Sequence, residues 1–193
     1  ATCLVLFVFK YFAFVTGSFV GIAGFLGWQF HNPTLNIILP IGLSFHTFQS
    51  LSYVVEVYRG HQKAERNFVV YATYVMFFPQ LVAGPIERPQ NLLHQFHGNH
   101  DFDYERISSG LKRMAWGFFK KLVVADRLAL YVNDVYGAPQ NYNGLQLTIA
   151  TIFFAYQIYC DFSGYSDIAI GSARVLGFKL MENFDTPYFS RSV

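Results

Sequence analysis

Formal charge is what this sequence has least of. Only 13% of its 193 residues are Asp, Glu, Lys or Arg, against roughly 25% in soluble domains. Cysteine is nearly absent: Cys3 and Cys160 are far apart in sequence, both in apolar runs, which excludes a disulfide framework. The net charge of +2 decides nothing by itself; only its distribution does, and no nucleic-acid partner is expected. There is no initiator Met and no signal peptide with a cleavage site, and the chain stops at Arg191-Ser192-Val193; it reads as an internal piece of a larger polytopic protein. What is abundant is apolar and aromatic surface. Twenty-two Phe and thirteen Tyr within a 53% hydrophobic chain suit lipid-facing and interfacial positions better than a soluble core of this size. The mean hydropathy of +0.27 is modest because residues 87–146 are polar.

The expected fold class is all-α, a polytopic transmembrane bundle with re-entrant or broken helices and an amphipathic surface helix, in one partial membrane domain over 1–193. A first span covers about 4–30; its stretch 11–30 carries no formal charge and is about 30 Å of helix, enough for a bilayer core. Lys10 can snorkel at its edge and Trp28 suits an interface. A second span, 34–58, has Pro40 near its start and an unusually polar second half, SFHTFQSLSY, which marks a face packed on protein. Residues 68–82 are only about 22 Å long as helix. With Pro79 and Gly84-Pro85 breaking them, 68–86 reads as re-entrant.

Residues 105–128 read as a basic amphipathic helix. Ile107, Leu111, Met114, Phe118, Leu122 and Ala125 recur at helical spacing and form its expected apolar face. Arg106, Lys112, Arg113, Lys120, Lys121 and Arg127 place it at a cytoplasmic surface. Arg59, Lys63 and Arg66 also read as cytoplasmic, and a re-entrant 68–86 lets both basic regions share one side. The last unit, 147–178, is about 48 Å of helix, too long for one untilted crossing. A break near Asp161–Gly164 is therefore expected.

That unit, ATIFFAYQIYCDFSGYSDIAIG at 150–171, is the most informative stretch. Asp161 and Asp167 sit in an apolar run, and a carboxylate at membrane depth is tolerated only when it faces a bundle interior or a watery cavity. On one unbroken helix they are about 240° apart. Asp167 and Arg174 share a face, but at about 10 Å of axial separation they need a third group between them. Ser163, Gly164, Ser166, Gly171, Ser172 and Ala173 favour close helix packing. Both readings stay open: interhelical hydrogen bonding, or the lining of a substrate path.

Three blocks, LPIGLSFHTFQSLSYVVEVYRG at 39–60, FFPQLVAGPIERP at 77–89 and QIYCDFSGYSDIAIGSARVLGFKLMENFDTPYFSRS at 157–192, resemble the membrane-bound O-acyltransferase family. Within it they are similar to the branch that O-acetylates polysaccharides such as alginate, with the branch that transfers D-alanine to teichoic acid as the nearest alternative. The resemblance implies a multi-pass protein of the bacterial cytoplasmic (inner) membrane whose helices form a funnel. It implies no bound cofactor, a cytoplasmic thioester donor (acetyl-coenzyme A or an acyl-carrier thioester), and an extracytoplasmic polysaccharide or acetyltransferase partner protein as acceptor. The path lining it implies is Gln80, Pro85, Asp161, Ser163, Tyr165, Ser166, Asp167 and Asn183, with Gly84–Pro89 as a rigid turn in the wall. The family's catalytic histidine follows the Asn183-Phe184-Asp185-Thr186-Pro187-Tyr188 motif, beyond Val193, so no catalytic residue is assigned here and residues 1–193 alone are expected to be inactive.

Other candidates have simpler readings. His46 suits an interhelical hydrogen bond. His94, His97 and His100 lie near Asp101 and Asp103, but Gly98-Asn99 argues for a loop, so no metal site is assigned. Cys160 has no adjacent His or Lys to activate it. A transporter or channel using Asp161 and Asp167 remains a further alternative, as does, more remotely, a structural scaffold.

Overall fold

The computed structural model describes residues 2–27, 42–81 and 84–190. It is helical throughout, with no strand among the described residues. Seven α-helices follow in order: α1 (Thr2–Phe25), α2 (Leu43–Tyr58), α3 (Phe68–Val75), α4 (Pro89–Leu92), α5 (Tyr104–Phe118), α6 (Asp126–Gly137) and α7 (Gly144–Leu176). Trp28, Thr34, Pro40 and Val82, which figured in the expected spans, lie outside the described residues. No helix among the described residues is long and apolar enough to cross a membrane. In α7, the longest, Gln146, Gln157 and Asp161 interrupt the apolar run.

α3 is short because its signals are. The Asn67 side chain accepts hydrogen bonds from the Val69 and Val70 N–H groups and starts the helix, as an N-cap should. It ends at Val75, and a single 3₁₀ turn with Pro79 at its first positions follows. Eight residues make about 12 Å of helix, shorter still than the sequence had led us to expect. Around it lies the aromatic core. Tyr74, Phe77, Leu92, Leu93, Ile170, Ala173 and Leu180 are buried together, with Tyr53, Tyr71, Phe96 and Phe178 packed against them. Phe77, Phe96 and Phe178 meet pairwise with centroids 4.9–5.4 Å apart, within the favourable range for tilted and edge contacts. His46 and Gln49 tie α2 to α3 through the Val75 and Tyr74 carbonyls, at 3.0 and 2.9 Å.

Two expectations change. α7 runs unbroken through Asp161–Gly164 for 33 residues, about 50 Å. Asn143 and Gln146 form a capping box at its start, and Gly177, at φ 96°, closes it in the left-handed conformation that glycine adopts freely. Gly164 does not kink the helix; it lets another helix in. The second change is that α5 is inverted where it meets α7. It continues through a π-helical segment (Phe119–Ala125) into α6, so the helical run extends well past residue 128. Of its expected apolar face, Leu111, Phe118 and Leu122 are 45–55% exposed, whereas Gly110 and Gly117 are buried against α7. Ile107 and Met114 of that face are half-buried and Ala125 is buried, while Lys112 and Arg127 are exposed, so the helical run meets α7 through its glycines, Arg113 and Lys120 and not through its apolar stripe as a whole.

Candidate functional site

The site grows from the α5–α7 contact. Gly110 lies on Gly171 and Gly117 on Gly164, an antiparallel pairing in which the two glycines of each helix are seven positions apart. A Cβ at Gly117 would stand 2.6 Å from the Gly164 carbonyl oxygen, and one at Gly110 would stand 2.8 Å from that of Gly171. No side chain fits, so backbone rests on backbone, the close approach that small residues permit.

The spacing of three and four then places the charges. On α5 and the π-helical segment that continues it, Gly110, Arg113, Gly117 and Lys120 form one stripe; on α7, Gly164, Asp167, Gly171 and Arg174 form the facing one. Asp167 sits between the two cations of the opposite helix, with Lys120 Nζ at 2.5 Å and Arg113 at 3.0 Å, and all three side chains are about four-fifths or more buried. Lys120 Nζ also donates to Ser163 Oγ at 3.1 Å. Arg113 forks onto Glu182, which holds that guanidinium more firmly charged and Glu182 below the usual carboxylate range. The π-helical segment adjusts the register here. Buried positions on this run are Gly110, Gly117, Ala125, Val132 and Val135; the first four are separated by steps of seven, eight and seven, and the wider π turn takes up the extra residue.

After Gly177 the chain returns antiparallel along α7. Asn183 donates to Ser166 Oγ at 3.1 Å, the Phe184 ring packs edge-on to Tyr159 and Phe162, and Tyr188 donates to the Ala155 carbonyl at 2.7 Å. Arg113, Lys120, Ser163, Ser166, Asp167, Glu182 and Asn183 thus enclose a small polar cavity of about 100 Å³.

Four of the eight expected lining residues, Ser163, Ser166, Asp167 and Asn183, meet at this cavity. The other four do not line it. Asp161 is on the opposite side of the unbroken helix, half-exposed and paired with Lys121, so it caps no freed backbone. Tyr165 is half-buried on α7. Gln80 is fully buried under Gly84, whose Cβ would overlap its backbone, and Pro85 is buried in the following turn. Asp167 and Arg174 do not connect through a third group: Asp167 takes Arg113 and Lys120, while Arg174 donates to Ser109 at 3.0 Å. Arg113, Lys120 and Glu182 were not foreseen; the repeat of glycines seven apart on both helices is the signal that finds them. The five described histidines each bond a backbone carbonyl or a carboxylate. His46 bonds Val75, His61 Glu56, His94 Gln90, His97 Glu65 and His100 Gln95. Cys160 is buried.

A profile of the membrane-bound O-acyltransferase family matches residues 61–192, the region that holds every member of the charged seam. The chain belongs to the membrane-bound O-acyltransferase family. It is similar to the probable alginate O-acetylase AlgI of Pseudomonas aeruginosa, 42% identical over 190 residues that are 98% of this chain and 36% of that protein. The peptidoglycan O-acetyltransferase of Helicobacter pylori is 33% identical over 93% of this chain and 38% of its own length. The teichoic acid D-alanyltransferase of Bacillus subtilis is 25% identical over 86% and 42%. The chain spans about a third of the length of the O-acetylating relatives it matches. For a membrane-bound O-acyltransferase, basic side chains inward and apolar side chains outward are the physically sensible arrangement in an apolar surround.

Proposed function

We propose that this chain forms part of the helical wall of a membrane enzyme that moves an acetyl group from a cytoplasmic thioester to an extracytoplasmic polysaccharide or to a partner acetyltransferase. The observation that carries the reading is the inverted α5–α7 pair, polar and ion-paired inside and apolar outside, in a chain 42% identical over nearly its full length to a probable alginate O-acetylase. The placement in the inner membrane as a multi-pass protein, and the re-entrant course of 68–86, belong to the same proposal. An eight-residue α3 cannot carry the chain across a bilayer. The end of α2 and the following loop are also tied to the 87–97 block, by Glu56 with Gln90 and by Glu65 with His97 at 2.8 Å, which favours one side for both.

The transfer needs a base near neutrality, and we place it outside residues 1–193, because the described histidines are engaged elsewhere. The transporter alternative loses support because Asp161 and Asp167 are both ion-paired. The test is transfer of labelled acetyl from acetyl-coenzyme A by membranes containing the intact protein, offered alginate, peptidoglycan or teichoic acid. Label in alginate is the expected result. Label in peptidoglycan would change the acceptor, and D-alanine transfer without acetyl transfer would overturn the reading.

A further inference from the structure

Beside the charged seam lies a larger cavity, about 430 Å³, walled by the 87–91 turn, the first turn of α5, the end of α7 and the returning segment 177–182. Four cations line it, Arg88, Arg106, Arg174 and Lys179, against two carboxylates, Glu87 and Glu182. Neither carboxylate forms an ion pair with them, although the Glu182 charge also acts on Arg174 and Lys179 at longer range. Glu182 spends both oxygens on Arg113. Glu87 is fully buried, accepts from Asn91 at 2.5 Å and from the Met181 N–H, and burial pushes it toward its protonated form. Among the described residues none of the four cations is in a salt bridge; Arg106 donates one Nη to the Asp101 carbonyl at 2.6 Å, and Arg174 one to Ser109. The Arg106 Nε is buried with no hydrogen-bond partner. A buried guanidinium donor left open is costly, and an oxyanion is the acceptor that a guanidinium matches best.

We propose that this cavity is a phosphate site, taking the phosphate of an organic phosphate ligand while Ile170, Phe178 and Leu180 receive its organic part. One phosphate fills only a fraction of 430 Å³, so room remains for a diphosphate or for the group the phosphate carries. Two sources share this chemistry, the phosphorylated carrier of the acyl donor and a phospholipid headgroup; assigning the donor rests on the acetyl-transfer reading, whereas phosphate binding does not.

Calorimetry on the intact protein in lipid-free detergent separates them, with coenzyme A, pantetheine, inorganic pyrophosphate and phosphatidylglycerol as probes. Coenzyme A should bind at least tenfold more tightly than phosphate-free pantetheine, and pyrophosphate should compete with it. Arg106→Gln should weaken coenzyme A about tenfold. The exposed pair Arg88→Gln/Lys179→Gln, which leaves the core intact, should do the same and reduce the salt dependence of binding. In the acetyl assay these variants should raise KM for the donor with kcat kept. Competition by phosphatidylglycerol with no coenzyme A binding would keep the phosphate site and overturn its assignment to the donor. Equal binding of coenzyme A and pantetheine with no pyrophosphate binding, or unchanged affinities in the folded Arg88→Gln/Lys179→Gln protein, would overturn the site itself. Pyrophosphate binding lost in Arg106→Gln would support the site even in a protein that transfers no acetyl group.

Discussion

Between α5 and α7 the contact is made by what is missing: four glycines bring two backbones together, and Arg113, Lys120 and Asp167 fill the space beside them. Around Tyr74 it is made by what is present, a cluster of aromatic and aliphatic side chains joining α3, the 92–97 segment and the far end of α7. The first kind of contact has no slack. A methyl group must move a main chain, and loss of the Asp167 charge leaves Lys120 without a carboxylate and Arg113 with Glu182 alone. The second kind can repack, because side chains of similar volume substitute for one another at modest cost. α7 belongs to both, since Ile170 packs in the aromatic cluster while its neighbour Gly171 touches Gly110.

The largest effect should come from the seam's charge. Asp167→Ala leaves Arg113 and Lys120 without their shared partner in a site about 15% exposed, and breaking a buried pair costs about 3–5 kcal/mol. Folded yield in membranes should fall sharply, whereas Asp167→Asn, which keeps the shape and one acceptor oxygen, should fold better. If acetyl transfer then drops well over tenfold at normal yield in Asp167→Asn, a loss of more than about 1.4 kcal/mol, Asp167 serves the reaction as well as the fold. Gly117→Ala comes next, at about 1–3 kcal/mol from overpacking, with Gly137→Ala, where a Cβ meets nothing within 4 Å, as the neutral control in the same thermal melts. A similar loss in both would remove the distinction between the two regions.

The aromatic region should respond more mildly. Tyr74→Phe deletes the hydrogen bond to the Glu87 carbonyl, 2.9 Å long, and should cost about 1 kcal/mol. Glu87 adds a pH signature. Its carboxyl is raised above its ordinary 4.5 chiefly by burial, so the folded state holds the proton more tightly than the unfolded one. Its contribution to stability is therefore full below about pH 4.5 and declines as pH rises through the raised value. Glu87→Gln should flatten that decline in pH-dependent melts, and an unchanged slope would contradict it. The smallest effect belongs to Asp161→Asn. Its partner Lys121 and it are both more than a third exposed, and such pairs contribute about 0–1 kcal/mol.

Much of this was legible in the sequence. Helix positions followed from apolar runs and from Pro79 and Gly84-Pro85, and the third segment announced its shortness. The orientation of α5 was not legible from periodicity, because a 3.6-residue stripe shows that a helix has two faces without showing which one meets protein. In water Leu111, Phe118 and Leu122 would turn inward; here they face out, and Arg113 and Lys120 find Asp167. The break expected in α7 rested on length and on Gly164, but a glycine also serves where a neighbouring backbone must come close. Only the Gly110–Gly117 and Gly164–Gly171 spacings, read against each other, distinguish these uses. Asn183 and Ser166 were named without any means of pairing them, since the fold-back after Gly177 is a tertiary event.

The measurement that bears most directly on the seam is a double-mutant cycle on Lys120→Met and Asp167→Asn in the intact protein, read as unfolding free energy in nanodiscs. Direct contact at 2.5 Å between buried charges predicts a coupling of about 1–3 kcal/mol, the double variant being more stable than the sum of the single losses allows. Additive losses, with coupling near zero, would mean that α5 does not present its basic stripe to α7.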